Sequence, residues 1–382
     1  MNSKRPTDLS AYYKLTAIFF IAVTAIFLIA GIVLKDREYS SKEKRNLKSF
    51  PAVSFESLTN GEFENGLEEY IADQFACRDI LMTAKTAVKM ATGKKESQGV
   101  ILCEDGWLLQ PLNEPDAELF DDMTSSVKDF AARYPDIKMY FMPVPTSAWY
   151  KKDLLPAGVY SADQDAYIDR IKESLKGSLQ VVDVRELFNM EKLTQLYYRT
   201  DHHWTTDGAY TAYAEFTGYN GAFIPYYEPS VVANDFSGSL VSKSGFITTA
   251  RDAVKIYVPQ FEQHYVVTYE AEQKKSASLY EPEYLRSDDP YMVFFGGNHA
   301  KITIETAAES SRKILVFKDS YANSFIPFLL EDYELITVID PRYYYDDLDT
   351  LIKLNGYTDV LFLYNVNTLA EDRNLQGVLK ES

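Results

Sequence analysis

The chain is poor in the side chains that build metal and redox centres. It has two cysteines, Cys77 and Cys103, and four histidines, and nowhere a Cys-x-x-Cys or Glu-x-x-His spacing. Structural zinc sites draw on such clusters, so the sequence predicts no metal and no other cofactor. In an exported domain the two cysteines are free to pair; two unrelated small side chains are the equal alternative. Net positive charge is lacking too. The formal charge of -17 excludes DNA, RNA and other polyanions as default partners. Neutral or weakly charged glycans remain open. Disorder is excluded by 46% hydrophobic residues, 29 Tyr and 22 Phe, enough for a large core. No internal repeat is apparent.

Charge is absent altogether from Leu15 to Leu34, a run rich in Ile, Phe, Ala and Val. About 20 such residues span a bilayer as a helix, whereas a signal peptide has an apolar region of about 7–15 residues and a small-residue cleavage site. An uncleaved single-pass anchor in the cell membrane is therefore expected. Lys4, Arg5 and Lys14 precede the run; Lys35, Arg37, Lys42, Lys44, Arg45 and Lys48 follow it. Read literally, that balance puts the C-terminal side in the cytoplasm. The chemistry argued below favours the opposite, extracytoplasmic side. The expected organisation is a tail over 1–14, the span over 15–34, a polar tether over 35–60, and one catalytic domain over 61–382.

Within that domain, Glu62 to Lys95 keeps helical spacing, and Val100 to Leu109 predicts a hairpin turning at Asp105-Gly106. Strands then alternate with helices. Ile137–Met142 and Leu179–Val184 are strands, Ala162–Leu175 a helix, and Thr206–Phe216 a helix with Thr206 as N-cap. From about 223 to 305 the rhythm breaks into a β-rich insertion. Alternation resumes at Lys313–Phe317, Glu334–Ile339 and Asp359–Tyr364, which predicts a flavodoxin-like, doubly wound, mostly parallel sheet. Such sheets bind ligands beyond their strands' carboxyl ends. Three of those ends carry chemistry: Asp319-Ser320, Asp340-Pro-Arg342-Tyr343-Tyr-Tyr, and Asn365-Val-Asn367.

Half of the histidines lie in Asp201-His202-His203-Trp204. An Asp beside a His fixes an imidazole tautomer and stabilises the imidazolium. Ser320, ending an apolar strand, supplies a nucleophile for it to activate. A metal on Asp201, His202 and His203 is disfavoured because adjacent histidines on a strand point to opposite faces. Without the His motif, Ser320 reads as a helix N-cap. Trp204 and Tyr343 are open between sugar stacking and packing, and Arg342 between binding a substrate carboxylate and pairing with an acid. Gly296-Gly297-Asn298 reads as a turn.

The ordered set of Asp-His-His-Trp and Lys318-Asp-Ser-Tyr-Ala-Asn resembles the DHHW-motif family, itself similar to the SGNH-hydrolase-like domain of alginate O-acetyltransferases. Glu104-Asp-Gly-Trp-Leu, Phe236-Ser-Gly-Ser-Leu and Phe294-Phe-Gly-Gly-Asn extend the resemblance from about residue 50 to the C-terminus. It implies an SGNH-hydrolase-like fold and O-acetylation of an extracytoplasmic polysaccharide or oligosaccharide. A polytopic membrane acyltransferase is implied as the partner that delivers acetyl. Its triad falls on Asp201, His203 and Ser320. Lys318 stands where alginate-type members carry Gly, so the turn must be built without glycine's positive φ. Oxyanion donors are expected from the Ser320 N–H, the backbone at Arg342 and Asn365, with Asn367 two residues away. Two rival expectations stand beside transfer: an acetylesterase using the same triad, and a non-catalytic glycan-binding scaffold.

Overall fold

The computed structural model describes residues 10–37, 39–40, 45–76, 78–191, 193–222, 226–260 and 262–380. Lys42, Lys44 and Cys77, and the tail as far as residue 9, fall outside them, so the cysteine pairing does too. Two compact units divide at Lys94 and Lys95. The stretch from 61 to 94 thus groups with the N-terminal unit rather than with residues 95–382.

In the first unit, helix α1 (Ser10–Val33) carries an apolar window, Tyr12–Gly31, long enough to cross a membrane. The expected helix over 62–95 is two helices, α2 (Glu62–Gln74) and α3 (Arg78–Ala91). The tether is partly structured, with a short antiparallel pairing of Tyr39–Ser40 with Arg45–Asn46.

The second unit opens with the small hairpin Val100–Leu102 and Leu108–Leu109, and Asp105 and Gly106 adopt the expected positive φ. Its body comprises α4 (Ala117–Arg133), β1 (Lys138–Val144), α5 (Gln164–Leu175), β2 (Gln180–Val181) and α6 (Thr206–Asn220). There follow β3 (Tyr227–Phe236), β4 (Asp252–Pro259), β5 (Tyr265–Tyr269), β6 (Lys274–Ser276) and β7 (Lys301–Thr306). The chain closes with β8 (Lys313–Lys318), β9 (Leu335–Ile339), α7 (Leu348–Asn355), β10 (Asp359–Asn365) and α8 (Val366–Glu371). Eight strands form one sheet in the order β6-β5-β7-β9-β8-β10-β1-β2. The β9-β8-β10-β1-β2 part is parallel and the β6-β5-β7-β9 part antiparallel.

The β8 side chains show why this sheet is buried on both faces. Ile314 and Val316 enter one core with Ala209, Tyr213 and Phe216 of α6. Leu315 and Phe317 enter the other with Phe130 of α4 and Ile168 of α5. A period of two feeding two cores is the signature of a doubly wound sheet. The β-rich stretch is only half an insertion. β3 and β4 form a separate hairpin, but β5, β6 and β7 extend the main sheet through β7–β9. Alternation reveals a strand without revealing its partner, so this junction was not readable in the sequence. One cap also shifts by a residue: Thr205, not Thr206, accepts from Gly208 N–H at the start of α6.

Candidate active site

Ser320, the expected nucleophile, is set by backbone. β8 runs to Lys318, and Asp319 then caps a 3-10 turn over Ser320–Ser324. Asp319 sits at φ -101 and Lys318 is not among the positive-φ residues, so this turn needs no glycine. The buried Asp319 carboxylate accepts from Tyr321 N–H at 2.9 Å, Asn365 N–H at 2.8 Å and Asn365 Nδ2 at 2.6 Å. Burial raises its pKa. Lys318, itself buried, extends its ammonium to Asn298 Oδ1 at 2.6 Å and Asp340 Oδ2 at 3.2 Å. Burial works against ionisation of Asp340, but Lys318 and Arg342 overcome it and hold its carboxyl below the usual range.

The histidine arrives on a tight loop closed by the bridge between Tyr197 and Trp204. His203 Nε2 lies 2.7 Å from Ser320 Oγ, and Nδ1 lies 2.6 Å from Asp201 Oδ1. Asp201 is buried; it also accepts from His203 N–H at 2.9 Å and from Ser239 N–H at 2.7 Å. These distances complete the relay expected of a Ser-His-Asp site: a base in contact with its nucleophile, and an orienting carboxylate behind the base. Tyr291 stacks on the His203 ring at 4.0 Å and donates to Ser320 O at 3.0 Å, bracing both partners.

The loop is tied down from far along the chain. Asp252, buried at the start of β4, accepts from Arg199 N–H, Thr200 N–H and Thr200 Oγ1 at 3.1, 3.0 and 2.8 Å. Thr200 Oγ1 in turn accepts from Gly238 N–H at 3.0 Å. A Cβ on Gly238 would lie 2.3 Å from Asp201 Cβ, so only glycine lets this segment reach the carboxylate. Gly238 has φ -80, so the constraint is steric rather than conformational.

The expected site residues separate into three groups. Asp201, His203 and Ser320 come together. Ser320, Arg342 and Asn365 line one polar cleft with Gln110, Thr146, Ser147, His202, Asn367, Thr368 and Glu371. Trp204 and Tyr343 stay outside it. Trp204 is fully buried; its indole N–H donates to Tyr321 O and Ser324 Oγ at 2.9 and 3.0 Å. It is a strut between the histidine loop and the nucleophile turn, inaccessible to sugar. Tyr343 is half exposed beneath the Arg342 guanidinium.

Both amide hydrogens of Asn365 are occupied, by Asp319 and by Thr368 Oγ1, and its Oδ1 caps α8. Its work is to fix Asp319, not to meet an oxyanion. The Arg342 N–H is likewise turned to Asp340 Oδ1, at 3.3 Å. Asn367 is different: its buried Oδ1 has no partner among the described residues. The capacity it has to spare is that of an acceptor. The Arg342 guanidinium lines the cleft with Nε and Nη2 bound to Asp340 at 2.8 and 2.6 Å.

Among the described residues, Asp201, His202 and His203 present three metal-capable atoms within 4.8 Å of one another. The histidines are not on opposite faces. They sit in a bend, their rings 3.8 Å apart, so the strand argument fails here. The three are instead committed to hydrogen bonds, with His202 Nδ1 at 2.6 Å from Ser239 Oγ and both His203 nitrogens in the relay. Ser239, Gly238, Asp252 and Tyr291 were missed by sequence reasoning. Only the Phe236-Ser-Gly-Ser-Leu run gave any signal of them.

Comparison with known proteins agrees with this architecture. Residues 100–218 match the family model described as an SGNH hydrolase-like domain of the acetyltransferase AlgX. The chain is similar to a DHHW family protein from Eubacterium siraeum DSM 15702, with 26% identity over 75% of this chain and 96% of that one, TM-score 0.67. It shares a fold with Bacillus cereus PatB1, solved with a sulfonyl adduct, at 21% identity over 73% of this chain and 98% of that one, TM-score 0.62. No protein of curated function matches it in sequence. The fold is SGNH-hydrolase-like, and the resemblance to the DHHW family holds.

Proposed function

We propose that this SGNH-hydrolase-like chain is a membrane-anchored O-acetyltransferase acting on an extracytoplasmic polysaccharide through an acyl-enzyme. The observation that carries the reading is the unbroken Asp201–His203–Ser320 hydrogen-bond chain opening on a polar cleft. A fold alone supports many chemistries, so the site bears the weight. The family model's acetyltransferase description agrees with it.

In the first half-reaction His203 Nε2 takes the Ser320 Oγ proton as Oγ attacks the acetyl carbonyl. Asp201 holds the tautomer and stabilises the imidazolium. The tetrahedral intermediate collapses, the donor's leaving group departs with the proton from His203, and acetyl remains on Oγ. In the second, His203 deprotonates an acceptor hydroxyl, which attacks the acetyl carbon, and Ser320 leaves with that proton. The Ser320 N–H and the side-chain N–H groups of Asn367 serve the oxyanion, where one donor is worth roughly 10²–10³ in rate. Arg342, held rigid by Asp340, keeps N–H groups for an acceptor's negative or carbonyl oxygen. The acetyl donor is a polytopic membrane acyltransferase, and α1 keeps the protein beside it.

The test uses the full chain in detergent with an activated acetyl ester and a panel of oligosaccharides. Transfer is expected, and Ser320→Ala and His203→Ala should each lower it by about 10³-fold or more. Acetyl release to water without transfer to any acceptor overturns transfer in favour of an esterase. Equal activity in the variants removes the triad and leaves a glycan-binding scaffold. An aryl sulfonyl fluoride gives an acceptor-free check: one adduct by intact mass, absent from Ser320→Ala.

A further inference from the structure

The N-terminal unit carries a surface that acyl transfer does not use. Helix α3 has an apolar stripe turned outward: Ile80 is 68% exposed, Leu81 45% and Val88 64%. At 100° per residue Ile80, Leu81, Ala84, Val88 and Ala91 fall within an arc of roughly 100°. Thr86 marks the opposite, buried side. The helix is net basic, with Arg78, Lys85 and Lys89 against Asp79, and Lys94 and Lys95 follow it, in a chain of net charge -17.

What covers this stripe follows from where α3 begins. Phe75, three residues before Arg78, stacks on Phe27 of α1 at 5.0 Å. Phe27 lies inside the apolar window Tyr12–Gly31, about 6 Å of helix from its C-terminal end. The chain just beyond that end is fastened to the same corner. Tyr70 OH donates to Asp36 Oδ1 at 2.9 Å. Gln74 Nε2 donates to Arg37 O at 2.9 Å, and Gln74 Oε1 accepts from Arg37 N–H at 3.0 Å. If α1 crosses the bilayer, the α2–α3 corner therefore sits at the acyl boundary.

We infer that α3 lies in the interfacial layer of an anionic bilayer, its Ile80–Leu81–Val88 stripe in the acyl boundary and its lysines among the headgroups. A basic amphipathic helix with a strong apolar face binds in this way. The inference rests on α1 being a span. With it, the protein is fastened to the membrane by a crossing helix and a helix lying flat beside it, and the expected loose tether is replaced by a braced foot.

The test places the full chain in vesicles of phosphatidylcholine and phosphatidylglycerol, with Cys77 and Cys103 replaced by serine. A single cysteine carrying an environment-sensitive fluorophore is introduced by Ile21→Cys, Val88→Cys or Leu354→Cys. Leu354 is 80% exposed in the second unit. Brominated lipids should quench the labels at 21 and 88 at least twofold and leave that at 354 unchanged. Quenching at 21 with a water-exposed label at 88 overturns this inference and keeps the span. A water-exposed label at both positions overturns the span itself. A label at 88 that is shielded from water but not quenched means that protein covers the stripe, and also overturns it. Hydrogen exchange on the unaltered chain is the check against misfolding: amides of 78–91 should exchange more slowly in vesicles than in detergent, and equal rates refute it.

Discussion

The two halves of the candidate active site are held by different physics. Ser320 is placed by secondary structure: an apolar strand with two cores behind it, a capped turn, and the local Asp319–Asn365 clamp. Asp201 and His203 sit on a loop that has no strand or helix of its own. Their positions come from side-chain ties to residues some 40 to 50 positions away in the β-rich stretch, Ser239 and Asp252. A serine placed this way is robust to changes in the insertion, whereas the histidine is hostage to them. The β-rich stretch is thus part of the scaffold of the candidate site even though it contributes none of the three hydrogen-bonded residues.

The sharpest way to break that contrast is Asp252→Ala. It orphans the Arg199 and Thr200 N–H groups, the Thr200 hydroxyl and the Gln195 amide, which bonds Asp252 Oδ1 at 3.1 Å. A buried donor left without a partner costs roughly 1–3 kcal/mol. Urea unfolding should show that loss, and acetyl transfer by the folded fraction should drop nearly to the level of His203→Ala. Sulfonylation of Ser320 should slow as well, because the serine loses its base. Transfer within tenfold of the wild type would mean that the loop holds itself.

Gly238→Ala strikes the same loop from its other side. Its methyl group meets Asp201 Cβ, Cα and N at 2.3, 2.5 and 2.6 Å, so the backbone at Asp201 or the 236–239 segment must shift. Misplacement on the scale of 1 Å costs on the order of 10² in rate. We expect a fall of that size in kcat together with a lowered thermal midpoint, since Phe236, buried in one sheet core, moves with the segment. A large stability loss at unchanged kcat would reverse the assignment.

The same division explains what could be read from the sequence. The strands at 313–318, 335–339 and 359–365 announce themselves as apolar runs, and Asp201, His203 and Ser320 stand in short motifs whose chemistry is local. Asn365 was visible for the right reason, an asparagine at a strand end, but its role depends on where its two N–H groups go. Trp204 and Tyr343 are aromatic side chains near the motifs, and neighbourhood in sequence does not say that one is buried and the other displaced. Tyr291 and Asp252 were illegible because each acts across a long loop closure that no periodicity encodes.

The smallest expected effect on activity lies on the sheet side, at Asp332, which is not among the cleft-lining residues. Asp332 precedes β9 and accepts from Tyr213 OH at 3.0 Å. Burial raises its pKa to about 7 from an ordinary 3.8, against the pull of Tyr213 and Arg312. Between those two values the folded protein holds a proton that the unfolded chain has released. Stability from this group is therefore present at low pH and is lost as pH rises towards 7. Asn in place of Asp keeps the acceptor and removes the charge. At about 1.4 kcal/mol per pKa unit between 3.8 and about 7, Asp332→Asn should gain at most about 4 kcal/mol at pH 8 and almost nothing at pH 4. Urea midpoints at the two pH values measure this, and acetyl transfer should be unchanged. A pH-independent gain would reject the titration. A loss of activity would show that the strand side is coupled to the histidine loop, through Tyr213 and α6, more tightly than the hydrogen bonds imply.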